Sequence, residues 1–406
     1  MIFDDRSRGP RHLFRWLAAL LLVAAGVSAV LFLAARRRPQ RWPDAVRTET
    51  AMGDSTCLSC HTDKASYEGT AHRLTTRHPS RATILGSFER GANLLKTPNP
   101  SLHFRMDRDS AGFLETAVYG KAPDTTSRTE RIAYVAGSGR KGQSFLYWKG
   151  DQLFQLPVSY WTSLGTWINS PGPAYVDGAA NFDRAVAPRC LECHATWMEP
   201  TPDVRFVNRF RAEGAILGIT CERCHAAGKE HVENQRSVLN AVRPVRIVNP
   251  ARLSRARKIE ACAQCHSGLG QPIVPSFTYV AGQPLEKYLY LRPLPLDAQV
   301  DVHGNQVALL SRSKCFRASE MTCMTCHDVH RTQRNTAELS GRCLTCHQEQ
   351  SCGLFPKQGH ALKGRCVDCH MPLQTSNTLV SSLDGKKETV QVRNHWIKVY
   401  RDSAGQ

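Results

Sequence analysis

Seven copies of Cys-x-x-Cys-His dominate this chain: Cys57/Cys60/His61, Cys190/Cys193/His194, Cys221/Cys224/His225, Cys262/Cys265/His266, Cys323/Cys326/His327, Cys343/Cys346/His347 and Cys366/Cys369/His370. They use 14 of the 16 cysteines. In a helical turn, cysteines at i and i+3 share one side and the histidine at i+4 stands beside the first. Two thiols can then form thioethers to porphyrin vinyl groups while the imidazole reaches the iron from one face. Each copy therefore reads as an attachment site for c-type haem. Zinc sites usually join two Cys-x-x-Cys pairs, which an odd count does not suit. Neither zinc nor a redox dithiol requires histidine as the next residue. The cofactors expected are seven covalently attached haem c groups, with the seven motif histidines as proximal iron ligands.

Each iron so held has a second axial position. Nine histidines lie outside the motifs, and His12 precedes an apolar segment that separates it from the rest. Eight remain for seven positions: His72, His78, His103, His231, His303, His330, His360 and His395. In "CMTCHDVH", His330 follows His327 by only three residues. It cannot wrap to the far face of the same iron and is placed to serve a neighbouring haem. The same reasoning holds for His231 in "CERCHAAGKEH" and His72 in "CHTDKASYEGTAH". His360, His395 and His303 are further candidates. His78 completes the set, although "RHPS" and "LHFRM" leave His78 and His103 as alternatives. Methionine ligation would raise a potential, but with this supply of histidine Met106, Met198, Met321 and Met324 are unnecessary. Cys315 and Cys352 stand outside the motifs, and either a disulfide between them or two unpaired thiols is compatible with an oxidising compartment.

Residues 16–35 are 20 uncharged, mostly apolar positions flanked by arginines, the length of one membrane-spanning helix. Because c-type haem is attached outside the cytoplasmic membrane, the expectation is a single-pass anchor in the bacterial inner membrane with the body in the periplasm; a cleaved signal peptide is the other reading of the same segment. The net charge of +18 raises nucleic acid as a partner. Seven haems would bring fourteen propionates, however, and no basic block interleaved with aromatics stands out, so the excess reads as internal counter-charge. The partners expected are redox proteins, among them a quinol-oxidising membrane complex, with the N-terminal helix in the membrane and no nucleic acid.

Motif spacing divides the chain into an anchor (1–40), a first haem module (41–82), a cysteine-free insert (83–187) and a hexahaem array (188–406). In the insert, "RIAYVAGSG", "QSFLYWKG" and "QLFQLPVSYW" are aromatic and β-branched runs separated by glycine-containing turns, the pattern of an antiparallel meander. "LHFRMDR" alternates as a further strand would. Elsewhere "EHVENQRSVLNAVR" and "RLSRARKIEACAQCH" are helix-like. The fold class expected is mainly α with irregular loops around a covalent haem array, a small antiparallel β-rich insert and one transmembrane helix.

"CERCHAAGKEHV", "MTCMTCHDVH" and "GRCVDCHMP" resemble the multihaem cytochrome c family that includes the tetrahaem carrier of ammonia oxidisers, hydroxylamine oxidoreductase and pentahaem nitrite reductase. The likeness covers residues 57–61 and about 190–370 and implies close haem pairs in a mostly helical frame, with electrons passing between them. Two departures bear on activity. The nitrite reductases typically use Cys-x-x-Cys-Lys at the catalytic haem, whereas all seven motifs here end in histidine. No motif marks a tyrosine of the kind that cross-links to haem in hydroxylamine oxidoreductase, and Tyr400 lies past the last motif. The reading that follows is an electron-transfer protein rather than a substrate-converting enzyme: a heptahaem relay between a quinol-side donor and a periplasmic acceptor. The alternative is an oxidoreductase with one five-coordinate haem acting on a small nitrogen or sulfur oxyanion or hydroxylamine. With only about 52 residues per haem beyond residue 40, the haems form much of the core, and their binding supplies folding free energy. A cysteine-free variant made without haem is expected to show no cooperative thermal transition by circular dichroism, and a single sharp melt of the whole chain would contradict this.

Overall fold

The computed structural model describes residues 44–172, 178–201, 203, 205–237, 247–295, 298, 300–301 and 303–400, together with Val23 and Gly26. The mainly α architecture expected from the motifs is not what the chain adopts. Of the described residues, 26% are helical and 26% are strand, in several sheets. The reason is local. A haem motif needs one helical turn and no more, and the motif helices are correspondingly short: Cys221–His225 and Cys366–His370 have five residues each and Cys323–Cys326 has four. The helix Arg255–His266 reaches 12 residues, with the Ser254 hydroxyl accepting from the Arg257 N–H at 3.4 Å as its N-cap.

Nine strands lie in the cysteine-free insert and one, β1, just before it: β1 (Thr76–Arg77), β2 (Leu94–Lys96), β3 (Leu102–Asp109), β4 (Gly112–Lys121), β5 (Asp124–Arg131), β6 (Tyr134–Ala136), β7 (Gly142–Lys149), β8 (Gln152–Trp161), β9 (Thr166–Asn169) and β10 (Arg184–Ala185). One antiparallel sheet runs β2-β3-β4-β5. A second runs β1-β6-β7-β8-β10, with β9 also paired to β8. Phe104, Met106 and Ala117 of the first sheet pack against Phe145, Tyr147, Leu156, Val158 and Trp167 of the second. Gly86 lets the Trp167 indole lie flush, since a Cβ there would fall 2.2 Å from the ring.

The second sheet is apolar on both faces. Along β6–β8, Val135, Phe145, Tyr147 and Phe154 enter the sandwich core. Their neighbours Tyr134, Leu146 and Leu153 enter another cluster with Leu191, Trp197, Met198 and Phe277. Leu191 lies inside the second haem motif. This is why "QSFLYW" reads as a continuous apolar run: a sheet covered on both sides loses the polar alternation of a half-exposed one. The insert is thus built into the haem-binding part rather than appended to it.

A hairpin past the last motif, Leu373–Leu383 with Lys386–Arg393, was not expected. It closes on Asp384-Gly385, both at positive φ (51° and 73°), the backbone of a two-residue hairpin turn. Its Val390 packs on Trp161 and Ile168 of the insert, and the Lys141 ammonium donates to the Gln391 carbonyl at 2.7 Å.

The single-pass anchor is not supported. Among the described residues no helix is long and apolar enough to cross a membrane, and residues 16–35, apart from Val23 and Gly26, lie outside them. The inner-membrane placement that rested on this anchor is withdrawn with it.

The sandwich core holds one carboxyl. Glu115 on β4 is 0% exposed. Its Oε1 accepts from the Val158 N–H at 2.9 Å, where β7 and β8 slip register between Ser144 and Leu146. Its Oε2 is buried without a partner. Burial raises this carboxyl well above the usual range, with the Val158 hydrogen bond opposing the rise only in part. A raised folded-state pKa means that the folded protein holds the proton more tightly than the unfolded chain, so stability falls as pH rises from the unfolded value, about 4.3, toward the folded one. Glu115→Gln keeps an acceptor and removes the proton release. It is expected to be more stable than the wild type by about 1–3 kcal/mol at pH 8 and to converge with it near pH 4. Thermal melts by circular dichroism across pH check this, and parallel pH profiles would refute it.

Candidate haem-binding site

The motif backbones put their histidines where the spacing argument wanted them. The His61, His327 and His347 N–H groups donate to the carbonyls of Cys57, Cys323 and Cys343 at 2.9, 2.9 and 3.0 Å. Each histidine therefore closes one helical turn beside its first cysteine. No disulfide joins any two of the 16 cysteines, Cys315 and Cys352 included.

The residues between the cysteines lock the motifs together. Asp54, which opens the first motif's helix, accepts from the Cys221 N–H at 2.9 Å and pairs with Arg73 at 2.6 Å. Glu222, inside the third motif, reaches back and accepts from the N–H groups of Met52, Gly53 and Gly228 at 3.1, 3.2 and 2.8 Å. Each motif thus satisfies backbone donors of the other. Glu192, inside the second motif, pairs with Arg189 at 3.0 Å and accepts from the Phe277 N–H at 2.7 Å. Arg223 of the third motif donates to the Glu192 carbonyl at 3.2 Å. Arg189 donates further to the Leu269 and Gln264 carbonyls, and Gln264 lies inside the fourth motif. Arg189, Glu192, Glu222, Arg223 and Gln264 are all buried. Sequence reasoning did not single out these residues. The signal available was a charged side chain at a position that the haem would help to bury.

The cysteines also adjoin across motifs. Cys57 and Cys221, Cys193 and Cys265, and Cys262 and Cys323 lie close enough in pairs for each sulfur to affect the protonation of the other. Cys343 lies near enough to Cys326 and Cys366 to feel their charge. In space, therefore, the first motif adjoins the third, the second and the fifth adjoin the fourth, and the sixth lies between the fifth and seventh.

Four of the predicted attachment cysteines, Cys60, Cys190, Cys346 and Cys369, take no part in such contacts between motifs, and Cys346, like Cys60, is exposed and meets the hydroxyl of its preceding residue. Cys60 is exposed, and its thiol meets the hydroxyl of the adjacent Ser59 at 3.9 Å rather than a group of another motif. Cys369 is half-buried, with its N–H donating to the Arg365 carbonyl at 3.2 Å, and the thiol whose charge it acts on is Cys366 of its own motif. The structure therefore does not bring Cys60, Cys190, Cys346 or Cys369 into the inter-motif contacts, and their assignment as haem-attachment residues rests on motif spacing alone. In the first motif the first cysteine, Cys57, makes the inward contact and the second is left on the outer side of the turn.

Four motif histidines face a second imidazole from elsewhere in the chain. Ring centres are 6.5 Å apart for His61 and His231, 6.2 Å for His225 and His330, 6.0 Å for His72 and His266, and 6.4 Å for His327 and His395. Rings in face contact approach to about 3.5–4.0 Å, so the three pairs inclined at 20–33° are not packed face to face. A metal bound at about 2.0–2.1 Å from a ring nitrogen lies about 3 Å from the ring centre. Two imidazoles sharing one atom then stand about 6 Å apart, which is the spacing found. The residues present fit a six-coordinate haem iron at these four positions.

The protonation states fit as well. Burial lowers His72, His225, His231, His327 and His330 and takes His266 and His395 down to about 4, favouring the neutral imidazole that binds metal. The Nδ1 of His225 lies 2.7 Å from the Val248 carbonyl, that of His370 2.9 Å from Lys398 and that of His395 3.1 Å from Arg393. Nδ1–H donation to a carbonyl leaves Nε2 as the ligating atom.

The remaining histidines lie as follows. His303, with Nδ1 3.1 Å from Asp301, is close enough to His194 to act on its charge. His78 packs on Tyr134 with ring centres 5.6 Å apart. His103 lies on β3 between Leu102 and Phe104, which are buried in the core, and so points the other way. His360 is held through Nδ1 by Glu349 at 2.7 Å and meets the Phe355 ring edge-on. Among the described residues, His347 and His370 face no second imidazole at the spacing of the four pairs.

A model of the family described as cytochrome c554 and c-prime matches residues 173–226, the stretch that carries the second and third motifs. The match supports a c-type cytochrome. Such a protein carries covalent haem c and acts in electron transfer. Neither a curated protein nor a solved structure matches the chain.

The buried Glu192 lattice generates a test. Glu192→Ala leaves Arg189 and Arg223 buried with less compensation, so the holoprotein is expected to lose about 3–5 kcal/mol, read as a lower guanidinium midpoint. Glu192→Gln, which can still accept from the Phe277 N–H, is expected to lose less. An unchanged midpoint in Glu192→Ala would show that the lattice adds no stability.

Proposed function

We propose that this chain is a heptahaem cytochrome c that relays electrons between a donor and an acceptor protein. The observation that carries the reading is the set of four imidazole pairs, each spaced for one shared metal atom and each joining a motif to a distant part of the chain. Haem c, when bound, supplies reversible one-electron chemistry at iron.

The chain's part is to attach, ligate and shield. The 14 motif cysteines would hold the haems covalently, Cys60, Cys190, Cys346 and Cys369 among them on the strength of their spacing, and His61, His194, His225, His266, His327, His347 and His370 would be proximal ligands. His231 would serve the first motif, His330 the third, His72 the fourth and His395 the fifth. His303 is the candidate at the second motif, with His78 nearby, and His360 belongs to the segment of the last two. Two imidazoles on one iron leave no position for a substrate, which suits transfer rather than conversion. The adjoining cysteines of successive motifs support close spacing along the series.

The pairing of His330 with the third motif is the step most open to test. His330→Ala is expected to keep all seven haems attached by mass, yet to convert one haem in seven from low-spin to high-spin by electron paramagnetic resonance. His330→Met, which can still ligate, is expected to stay low-spin with one potential raised. An unchanged spectrum in His330→Ala would remove this residue from the ligand set.

A further inference from the structure

Two buried side chains beside the second and fourth motifs each keep one hydrogen-bonding group without a partner. Gln264, 5% exposed, donates through its amide to the Ala261 carbonyl at 3.4 Å and leaves Oε1 unpaired. Tyr279, also 5% exposed, has an unpaired hydroxyl. The Gly282 N–H lies near that hydroxyl, but an N–H can only give a proton, so the phenolic proton has no acceptor. One acceptor and one donor are therefore left over, and buried polar groups in that state are rare and costly. Both line a single cavity, together with Arg189, Glu192, Leu285 and Leu289.

Helix geometry turns this cavity away from the haems of the two motifs. Successive residues of a helix rotate by about 100°. Cys262, Cys265 and His266 therefore share one side of the helix Arg255–His266, and Gln264 lies on the opposite side. Glu192 holds the same third place in the second motif. The cavity is thus where the backs of two motif turns meet.

Size and charge define the occupant. The cavity leaves about 10 Å³ for the centre of a water-sized sphere, the room that one water needs. Arg189 and Glu192 pair with each other at 3.0 Å, so the wall carries one charge of each sign. An anion would meet the Glu192 carboxylate and Gln264 Oε1, and a cation would meet the guanidinium. What fits is a small neutral molecule that both accepts and donates.

We propose that a single internal water sits behind the second and fourth motifs, accepting from the Tyr279 hydroxyl and donating to Gln264 Oε1. This goes beyond the electron-relay reading and does not depend on it. Tyr279 already packs with Ala263 of the fourth motif, Leu285 and Leu289 in one apolar cluster, and Arg189 of the second motif's helix donates to the Gln264 carbonyl. The water adds a polar tie between the fourth motif and the loop that bears Tyr279, in the space that Arg189 and Glu192 border.

A high-resolution crystal structure of the holoprotein is the direct test. One isolated oxygen is expected about 2.7–3.0 Å from both Tyr279 Oη and Gln264 Oε1. A direct Tyr279–Gln264 hydrogen bond, a haem propionate oxygen at this place, or no density between the two groups would overturn the inference. Guanidinium midpoints of Tyr279→Phe, Gln264→Leu and the double variant give an independent reading. With one water serving both groups, the first substitution already breaks the bridge, so the double variant is expected to fall no further than the lower single variant. A double variant that falls further would show that each side chain acts through contacts of its own and would overturn the inference. Where a variant does not fold, the wild-type structure decides.

Discussion

The reciprocal capping of the first and third motifs is the constraint on which the rest of the structure turns. Asp54 satisfies the N–H of Cys221, and Glu222 satisfies those of Met52 and Gly53. A one-turn helix has almost no internal hydrogen bonds and leaves its first N–H groups unpaired. It cannot persist alone. Here the first and third turns are each completed by a carboxylate from the other, so these two motifs support one another. Glu192 extends the same solution to the second motif, with Arg223 of the third motif and the Gln264 backbone of the fourth joined through it. The imidazole pairs then lie across contacts that the carboxylates have already drawn close.

The arginine excess has a use that charge bookkeeping did not show. In a loop-rich structure many carbonyls belong to no helix or ladder and still need donors. Arg255 donates to the Met321 and Phe316 carbonyls, and Arg393 to those of Val367 and Met371. Arg189 donates to Leu269 and Gln264. The planar fork of guanidinium can cap two carbonyls at once, which lysine cannot do with fixed geometry. Part of the arginine excess therefore holds loops around the motifs.

What was legible in the sequence was what short-range rules govern. The motif turns follow from i, i+4 geometry, and β6, β7 and β8 follow from aromatic runs between glycine turns. The impossibility of His330 reaching the far face of its own iron follows from a separation of three residues. The mainly α expectation failed because short helical turns were counted as helical frame, although each motif needs only four or five residues. The closing hairpin was missed despite its Asp384-Gly385 turn, because Leu373–Leu383 is rich in serine and threonine and slips register between Ser376 and Val380, which blurs the alternation of a strand. The carboxylate lattice was illegible for a deeper reason: which backbone N–H a buried Glu192 or Glu222 satisfies depends on contacts across 85 and 170 residues, and no local pattern encodes them.

Those long separations have a consequence for how the fold is reached. Ser66 donates to the His330 carbonyl across 264 residues and Thr332 to Gly69 across 263, which brings the first module against the fifth motif. Closing such loops costs little more than closing loops half as long, since the entropy grows with the logarithm of length. The difficulty is kinetic: contacts remote in sequence form slowly, and the chain stays exposed meanwhile. The sandwich of β1–β10 is different. Its long strands pair mostly with near neighbours in sequence, and its core draws on residues of that segment alone apart from the partly buried Leu383. It offers a surface, through Tyr134, Leu146 and Leu153, on which Leu191 of the second motif can settle before the distant motifs arrive. The insert thus presents an apolar face to the second motif, while the first, third and fifth motifs depend on contacts closed across 167 and 264 residues.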